Sequence, residues 1–144
     1  MASSVTCGWV GRILRVDLTA ERFSELDTME YAEKYLGGRG IAARVAWEEM
    51  GAGIDAFDPS NRLIFMTGPL TGTLAPSSGR FEVCGVAAQT YPKAHYTRSC
   101  MGGHWGPELK YAGYDGIIVH GKASSPVYLW IDDGEAKLGG ADNL

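Results

Sequence analysis

Two glycine-bearing loops carry the residues of this sequence best suited to holding a ligand. The first runs Gly68-Pro69-Leu70-Thr71-Gly72-Thr73-Leu74-Ala75-Pro76-Ser77-Ser78-Gly79 and ends at Arg80. Its small residues let backbone approach a ligand closely, and the Arg80 guanidinium offers a planar fork suited to a phosphate group. The same composition also describes a surface loop whose arginine is simply solvated. The second loop, Gly102-Gly103-His104-Trp105-Gly106-Pro107, leads into a helix start, where unpaired N–H groups favour an anion. An ordinary glycine turn reads the same way. Arg39, set between Gly38 and Gly40, is a third candidate anion contact, or else it answers carbonyls exposed at the preceding helix end. Neither loop contains G-x-x-x-x-G-K-[ST], and Gly37-Gly38-Arg39-Gly40 lacks the G-x-G-x-x-G spacing, which excludes the commonest nucleotide fingerprints.

The titratable residues add little organised chemistry. Cys7, Cys84 and Cys100 are widely separated, without C-x-x-C spacing, so they describe free thiols rather than a disulfide framework or a closed metal or cluster site. Cys100 precedes the second loop, where a helix start would favour its thiolate; a buried, inert thiol is the alternative. His104 stands beside the same turn and could donate a proton or a hydrogen bond, but no carboxylate or nucleophile at a diagnostic spacing makes a triad with it. His95 lies in the polar approach to that loop. His120, within an apolar strand, reads as a hydrogen-bonded structural residue.

The elements that must position these loops follow from periodicity. Leu14, Val16 and Leu18 alternate with polar residues as a strand, and Thr19-Ala20 joins it to a second alternating run over Arg22-Leu26 in an antiparallel hairpin. Asp27 or Thr28 caps a helix over Met29-Leu36 that stops at Gly37-Gly38. A second helix starts after Gly40, buries Ile41, Val45 and Trp47, and ends near Met50 and Gly51. Leu63-Met66 is an apolar run of strand length expected to be buried on both faces. Phe81-Val86 is the next strand, Gln89-Thr97 a polar connection, and Pro107 the first residue of a helix covering Glu108-Ala112. Asp115-His120 and Val127-Asp132 are strands, and Asp133-Gly134 returns the chain as a hairpin through Leu138. The fold class is α+β, with mixed or antiparallel sheets and a few short helices.

Composition bounds the class. The 144 residues, with 45% hydrophobic, 21% charged and 20 glycines but no G-x-y period, describe one globular domain over residues 1–144, neither collagen-like nor low-complexity. Seventeen acidic against thirteen basic residues give a formal charge of -4 with no Lys/Arg run, which argues against nucleic acid or an anionic membrane as a partner. Residues 1–8 carry no signal-peptide pattern and no window approaches a membrane span, so a cytoplasmic location is expected. Ala141-Asp142-Asn143-Leu144 follows a hairpin without a closing element, which suggests the front part of a longer protein.

At the two loops the sequence resembles a known family. Gly68-Pro69-Leu70-Thr71-Gly72-Thr73 with Ala75-Pro76 and Gly79-Arg80, followed by Gly102-Gly103-x-Trp105-Gly106-x-Glu108-Leu109-Lys110-Tyr111-Ala112-Gly113-Tyr114-Asp115, is similar to the N-terminal domain of the tungsten-containing aldehyde ferredoxin oxidoreductases. Gly8-Trp9, Asp17-Leu18-Thr19, Leu36-Gly37-Gly38-Arg39-Gly40 and Asp58-Pro59-Ser60-Asn61 extend the likeness over nearly the whole chain. The resemblance implies a β-sheet base for a tungsten (or molybdenum) bis-pterin cofactor, with a magnesium ion bridging its two phosphates and the metal held by cofactor sulfurs. It implies that Arg80 contacts a pterin phosphate, that Gly102 and Gly103 meet the pterin through backbone, and that Cys100 stands where the family has an asparagine whose backbone carbonyl meets the magnesium. No catalytic residue of the family maps onto this chain. The 4Fe-4S cluster, the catalytic groups and a possible homodimer belong to the longer protein, for which the resemblance implies an aldehyde substrate and ferredoxin as electron acceptor. Met101-Gly102-Gly103-x-Trp105-x-Pro107-Glu108-Leu109-Lys110 is also similar to the tungsten benzoyl-coenzyme A reductases, a branch of the same family, and a non-catalytic module of the same fold is a further alternative.

Overall fold

The computed structural model describes residues 7–143. β1 (Arg12–Asp17) and β2 (Arg22–Asp27) form the first hairpin, followed by α1 (Met29–Tyr35), α2 (Gly38–Glu49), β3 (Leu63–Met66), β4 (Phe81–Ala87), β5 (His95–Met101) and α3 (Trp105–Tyr111). β6 (Gly116–His120), β7 (Val127–Asp132) and β8 (Glu135–Gly140) complete the order. Six strands make one sheet, β2-β1-β6-β3-β4-β5, while β7 and β8 pair as a separate ribbon. Within the large sheet β1 and β6 run parallel and the other pairs antiparallel, so the mixed α+β class expected from sequence is the class observed.

Alternation along the strands divides the core into two. Ile13, Ile64, Met66, Cys84 and Ile118 point to one face and bury Ile41, Ala42 and Val45 of α2. Leu14, Val16 and Ile117 point to the other and pack with Leu109 of α3, Tyr114 and the apolar side of the β7–β8 ribbon. Asp133 and Gly134 both take positive φ at the ribbon's two-residue turn, as the Asp-Gly pair anticipates.

Several sequence expectations differ from the structure. The connection expected over Gln89-Thr97 gives way at His95 to a strand, His95–Met101: it is the sheet's edge, nearly all of its residues are exposed, and so it carries no hydrophobic alternation. Helix α2 begins at Gly38, so Gly40 lies within its first turn, where a Cβ would come 2.1 Å from the Tyr35 carbonyl oxygen and only glycine fits. Trp47 is 81% exposed, and Leu63 47% exposed, so neither is on a covered face. Helix α3 begins at Trp105, two residues before Pro107. Thr28 does precede α1, but its hydroxyl is used elsewhere and Asp27 accepts the Met29 N–H instead.

Candidate functional site

The first loop is anchored at its start by a buried ion pair. Asp115, fully buried, accepts hydrogen bonds from the N–H groups of Val10 (3.0 Å) and Gly11 (2.8 Å) and from the Thr28 hydroxyl (2.8 Å). Lys110 approaches the same carboxylate at 3.4 Å, donates to the carbonyls of Gly8 and Gly68, and lies over the Trp9 ring. Burial pulls the Lys110 ammonium below its ordinary pKa, against the opposing pull of Asp115. Thr67 completes the anchor through its N–H and hydroxyl, both on the Asp115 carbonyl. The chain therefore leaves β3 in a fixed direction.

The two glycine loops then touch. A Cβ at Gly79 would lie 2.9 Å from the Gly103 carbonyl oxygen, and one at Gly106 would lie 3.1 Å from the Thr71 methyl and 3.3 Å from the Gly79 carbonyl oxygen. Thr71 is buried between them, donating to the Arg80 carbonyl and accepting from the Gly68 N–H. Tyr111 of α3 reaches back to the Gly72 carbonyl. Trp105 stacks against Phe81 with ring centroids 4.3 Å apart, which ties the second loop to β4. Gly102 and Gly103 face outward: a Cβ on either would meet nothing within 4 Å.

Beside the loops lies a groove of about 240 Å³, lined by Gly37, Arg39, Pro69, Arg80, Glu82 and Cys100 among others. It brings together Arg80, Arg39 and Cys100, which the sequence placed in three separate segments. Both arginines are exposed, and among the described residues neither has an ion-pair partner. The start of α2 opens on the same groove without a side-chain cap or an acidic residue in its first turn. The net effect is a local positive potential with open donors, suited to a phosphate.

Cys100 differs from both sequence readings. It lies in β5, opposite Glu82, rather than at the start of α3, and it is exposed, not buried. Its thiol donates to Glu82 (3.1 Å) and accepts from Arg98 (3.1 Å), while Arg98 also reaches both Glu82 oxygens at 3.3 Å. Arg98 thus offsets the one carboxylate in the groove. Glu82 and Arg98 were missed because the strand that aligns them was missed; the i, i+2 spacing of Arg98 and Cys100 is the signal that they share a face.

The histidines stay apart. His104 precedes α3 and is exposed, with no side-chain cap bond. His95 opens β5, at the far end of that strand from Cys100. His120 is half-buried beside Arg15, Asp17 and Arg62 at another part of the sheet. Among the described residues no group of three or more His, Cys, Asp or Glu could hold a metal ion. No helix among them is long and apolar enough to cross a membrane.

Comparison with known proteins identifies the family of the chain. Residues 13–144 match the family described as aldehyde ferredoxin oxidoreductase, N-terminal domain. The tungsten-containing aldehyde ferredoxin oxidoreductase of Pyrococcus abyssi is 43% identical over 142 residues, 95% of this chain and 22% of that protein. The aliphatic sulfonate oxidoreductase, WOR-like subunit, of Pyrococcus furiosus is 36% identical over 132 residues, 89% of this chain and 20% of that protein. Among solved structures, the active site complex BamBC of benzoyl coenzyme A reductase with 1,5 dienoyl-CoA superposes with a TM-score of 0.85 and 40% identity, over 91% of this chain and 20% of that one. The chain thus spans about a fifth of the length of these relatives. On the extent of the family match and these identities, the chain belongs to the aldehyde ferredoxin oxidoreductase N-terminal domain family.

Proposed function

We propose that this chain is most of the N-terminal platform on which a tungsten or molybdenum bis-pterin cofactor lies in a cytoplasmic aldehyde:ferredoxin oxidoreductase. The observation that carries the reading is the pair of guanidiniums without an ion-pair partner among the described residues, Arg39 and Arg80, converging on one groove beside two interlocked glycine loops. The fit is physical. A planar ring system needs flat, side-chain-free backbone, which Gly102 and Gly103 present, and phosphates need open cationic donors, which the two arginines present. When bound, the cofactor supplies the redox chemistry that converts an aldehyde and water to a carboxylic acid with release of two electrons.

This chain's own part is positioning and electrostatics. Arg80 holds a pterin phosphate through its fork, and the backbone of Gly102 and Gly103 bears on the pterin. The Cys100 carbonyl would supply an oxygen to a magnesium ion bound with the cofactor; any residue has that carbonyl, so a cysteine at this position would serve as well as an asparagine. Arg98 neutralises Glu82, which would otherwise repel the phosphates. We assign the 4Fe-4S cluster, the contact with ferredoxin and any pairing into a homodimer to the longer protein, and expect these 144 residues alone to be inactive.

A second reading, reduction of an aromatic acyl-coenzyme A, is favoured by the likeness to the benzoyl coenzyme A reductase complex. Assaying the longer protein separates the two. Viologen dye reduction driven by aldehydes, with no turnover of a dienoyl-CoA, is the expected result; turnover of the dienoyl-CoA without aldehyde-driven dye reduction would overturn the first reading in favour of the second.

A further inference from the structure

A second positively charged groove, of about 470 Å³, is lined by Arg15, Asp17, Arg22, Ser24, Arg62 and His120. Register places these groups on one face: Asp17 lies opposite Arg22 on β2 and His120 on β6, and Arg15 lies opposite Ser24. Glu49, the last residue of α2, stands beside it, whereas Arg39 in the first groove belongs to that helix's first turn; ten residues of α-helix separate the two by about 15 Å.

The charges here do not close. Glu49 is a single carboxylate shared by Arg15 and by Arg62, whose Nε donates to it at 2.9 Å. Arg62 is otherwise spent on the carbonyls of Pro59, Ser60 and Asn61. One oxygen of the Asp17 carboxylate, Oδ1, accepts from the N–H groups of Thr19 (2.9 Å) and Ala20 (3.0 Å) in the β1–β2 turn. Arg22 is exposed and has no ion-pair partner among the described residues. The Arg15 Nε–H is buried with no acceptor among the described residues. Three guanidiniums therefore face two carboxylates, leaving one positive charge in excess with His120 neutral and two with it protonated. A chain of net charge -4 has concentrated positive charge at one place and left donors there unmet.

We propose that this groove is an anion site that takes a phosphate group, free or as a monoester, on Arg15, Arg22 and His120. A phosphate monoester carries about -1.5 to -2 at pH 7, which matches the excess when His120 is protonated. Planar guanidinium forks suit its oxygens, and the imidazolium adds a charge-assisted hydrogen bond. The groups facing His120 are Asp17, Arg15, Arg62, Glu49 and Arg22. Without an anion, burial and then the Arg62 guanidinium hold the imidazole below its ordinary pKa, with Asp17 pulling the other way. A bound phosphate reverses that balance and raises it.

The test follows the His120 ring protons by NMR, assigned with His120→Asn, while the chain is titrated with inorganic phosphate and separately with methyl phosphate at ionic strength fixed by chloride. A saturable shift with a raised His120 pKa is expected, and the tighter of the two probes names the source. Arg22→Ala, a surface change, should weaken it at least about tenfold, the scale of one lost charge-assisted bond. Arg80→Ala should leave it untouched. A response that tracks ionic strength without saturating, one unchanged in Arg22→Ala, or one lost in Arg80→Ala would overturn the proposal.

Discussion

The buried pair of Asp115 and Lys110 and the groove of Arg39 and Arg80 lie on either side of the start of the first glycine loop, and they treat charge in opposite ways. Asp115 is enclosed by three hydrogen-bond donors and a buried ammonium, and Lys110 divides its protons between that carboxylate and two carbonyls. Every group is answered from within the chain. Arg39 and Arg80 are exposed and unpaired among the described residues, and the one carboxylate in their groove, Glu82, is bonded to Arg98 instead. A polar cluster satisfied internally holds the fold, and one left open beside a side-chain-free surface is available to a ligand. Mutations at the first should therefore cost stability, and mutations at the second should cost binding.

The largest effect is expected at Asp115. Asp115→Ala strands a buried ammonium and orphans the N–H groups of Val10 and Gly11, so chemical denaturation should record a loss of about 3–5 kcal/mol. Arg80→Ala in the same assay should change stability by no more than about 0.5 kcal/mol, as for other exposed positions. Comparable losses at both sites would erase the distinction between them.

Gly79→Ala probes the seam between the loops. Its Cβ would meet the Gly103 carbonyl oxygen at 2.9 Å, with backbone on both sides, so an overpacking cost of about 1–3 kcal/mol is expected together with lost cofactor. Thr28→Val removes one of the donors to Asp115 and should cost about 1–2 kcal/mol in denaturant midpoint with cofactor content unchanged.

The smallest effect is in pH dependence. Because His120 is held below its ordinary pKa in the folded chain, the unfolded chain takes up that proton first as pH falls. Stability should accordingly decline from about pH 6.5 downward and stop declining below the folded pKa. His120→Asn should flatten that part of the acid limb, with the pH profile of the melting temperature as the readout.

Much of this architecture is legible in the residues. Leu14, Val16 and Leu18 announce β1, and the Asp133-Gly134 pair announces the β7–β8 turn, because each pattern has one local solution. The two loops are legible for the same reason, since runs of glycine, proline and hydroxylated residues have few other uses. The edge strand β5 is not, because neither of its faces is covered and alternation is a signal of burial. Losing β5 misplaced Cys100 and hid the bonds among Cys100, Glu82 and Arg98. The partnership of Asp115 with Val10, Gly11 and Thr28 spans some hundred residues of chain, and no local pattern encodes it. The convergence of Arg39 on Arg80 likewise exists only once α2 has docked on β3 and β4.

The central claim is that Arg80 holds the cofactor without holding the fold. Its most direct test is the metal content of the longer protein carrying Arg80→Ala, measured as tungsten plus molybdenum per polypeptide beside its denaturation curve. Losing a charge-assisted contact to a phosphate should lower cofactor affinity about tenfold or more, so metal content should fall sharply at unchanged stability. Full metal content in a variant of normal stability would contradict the account.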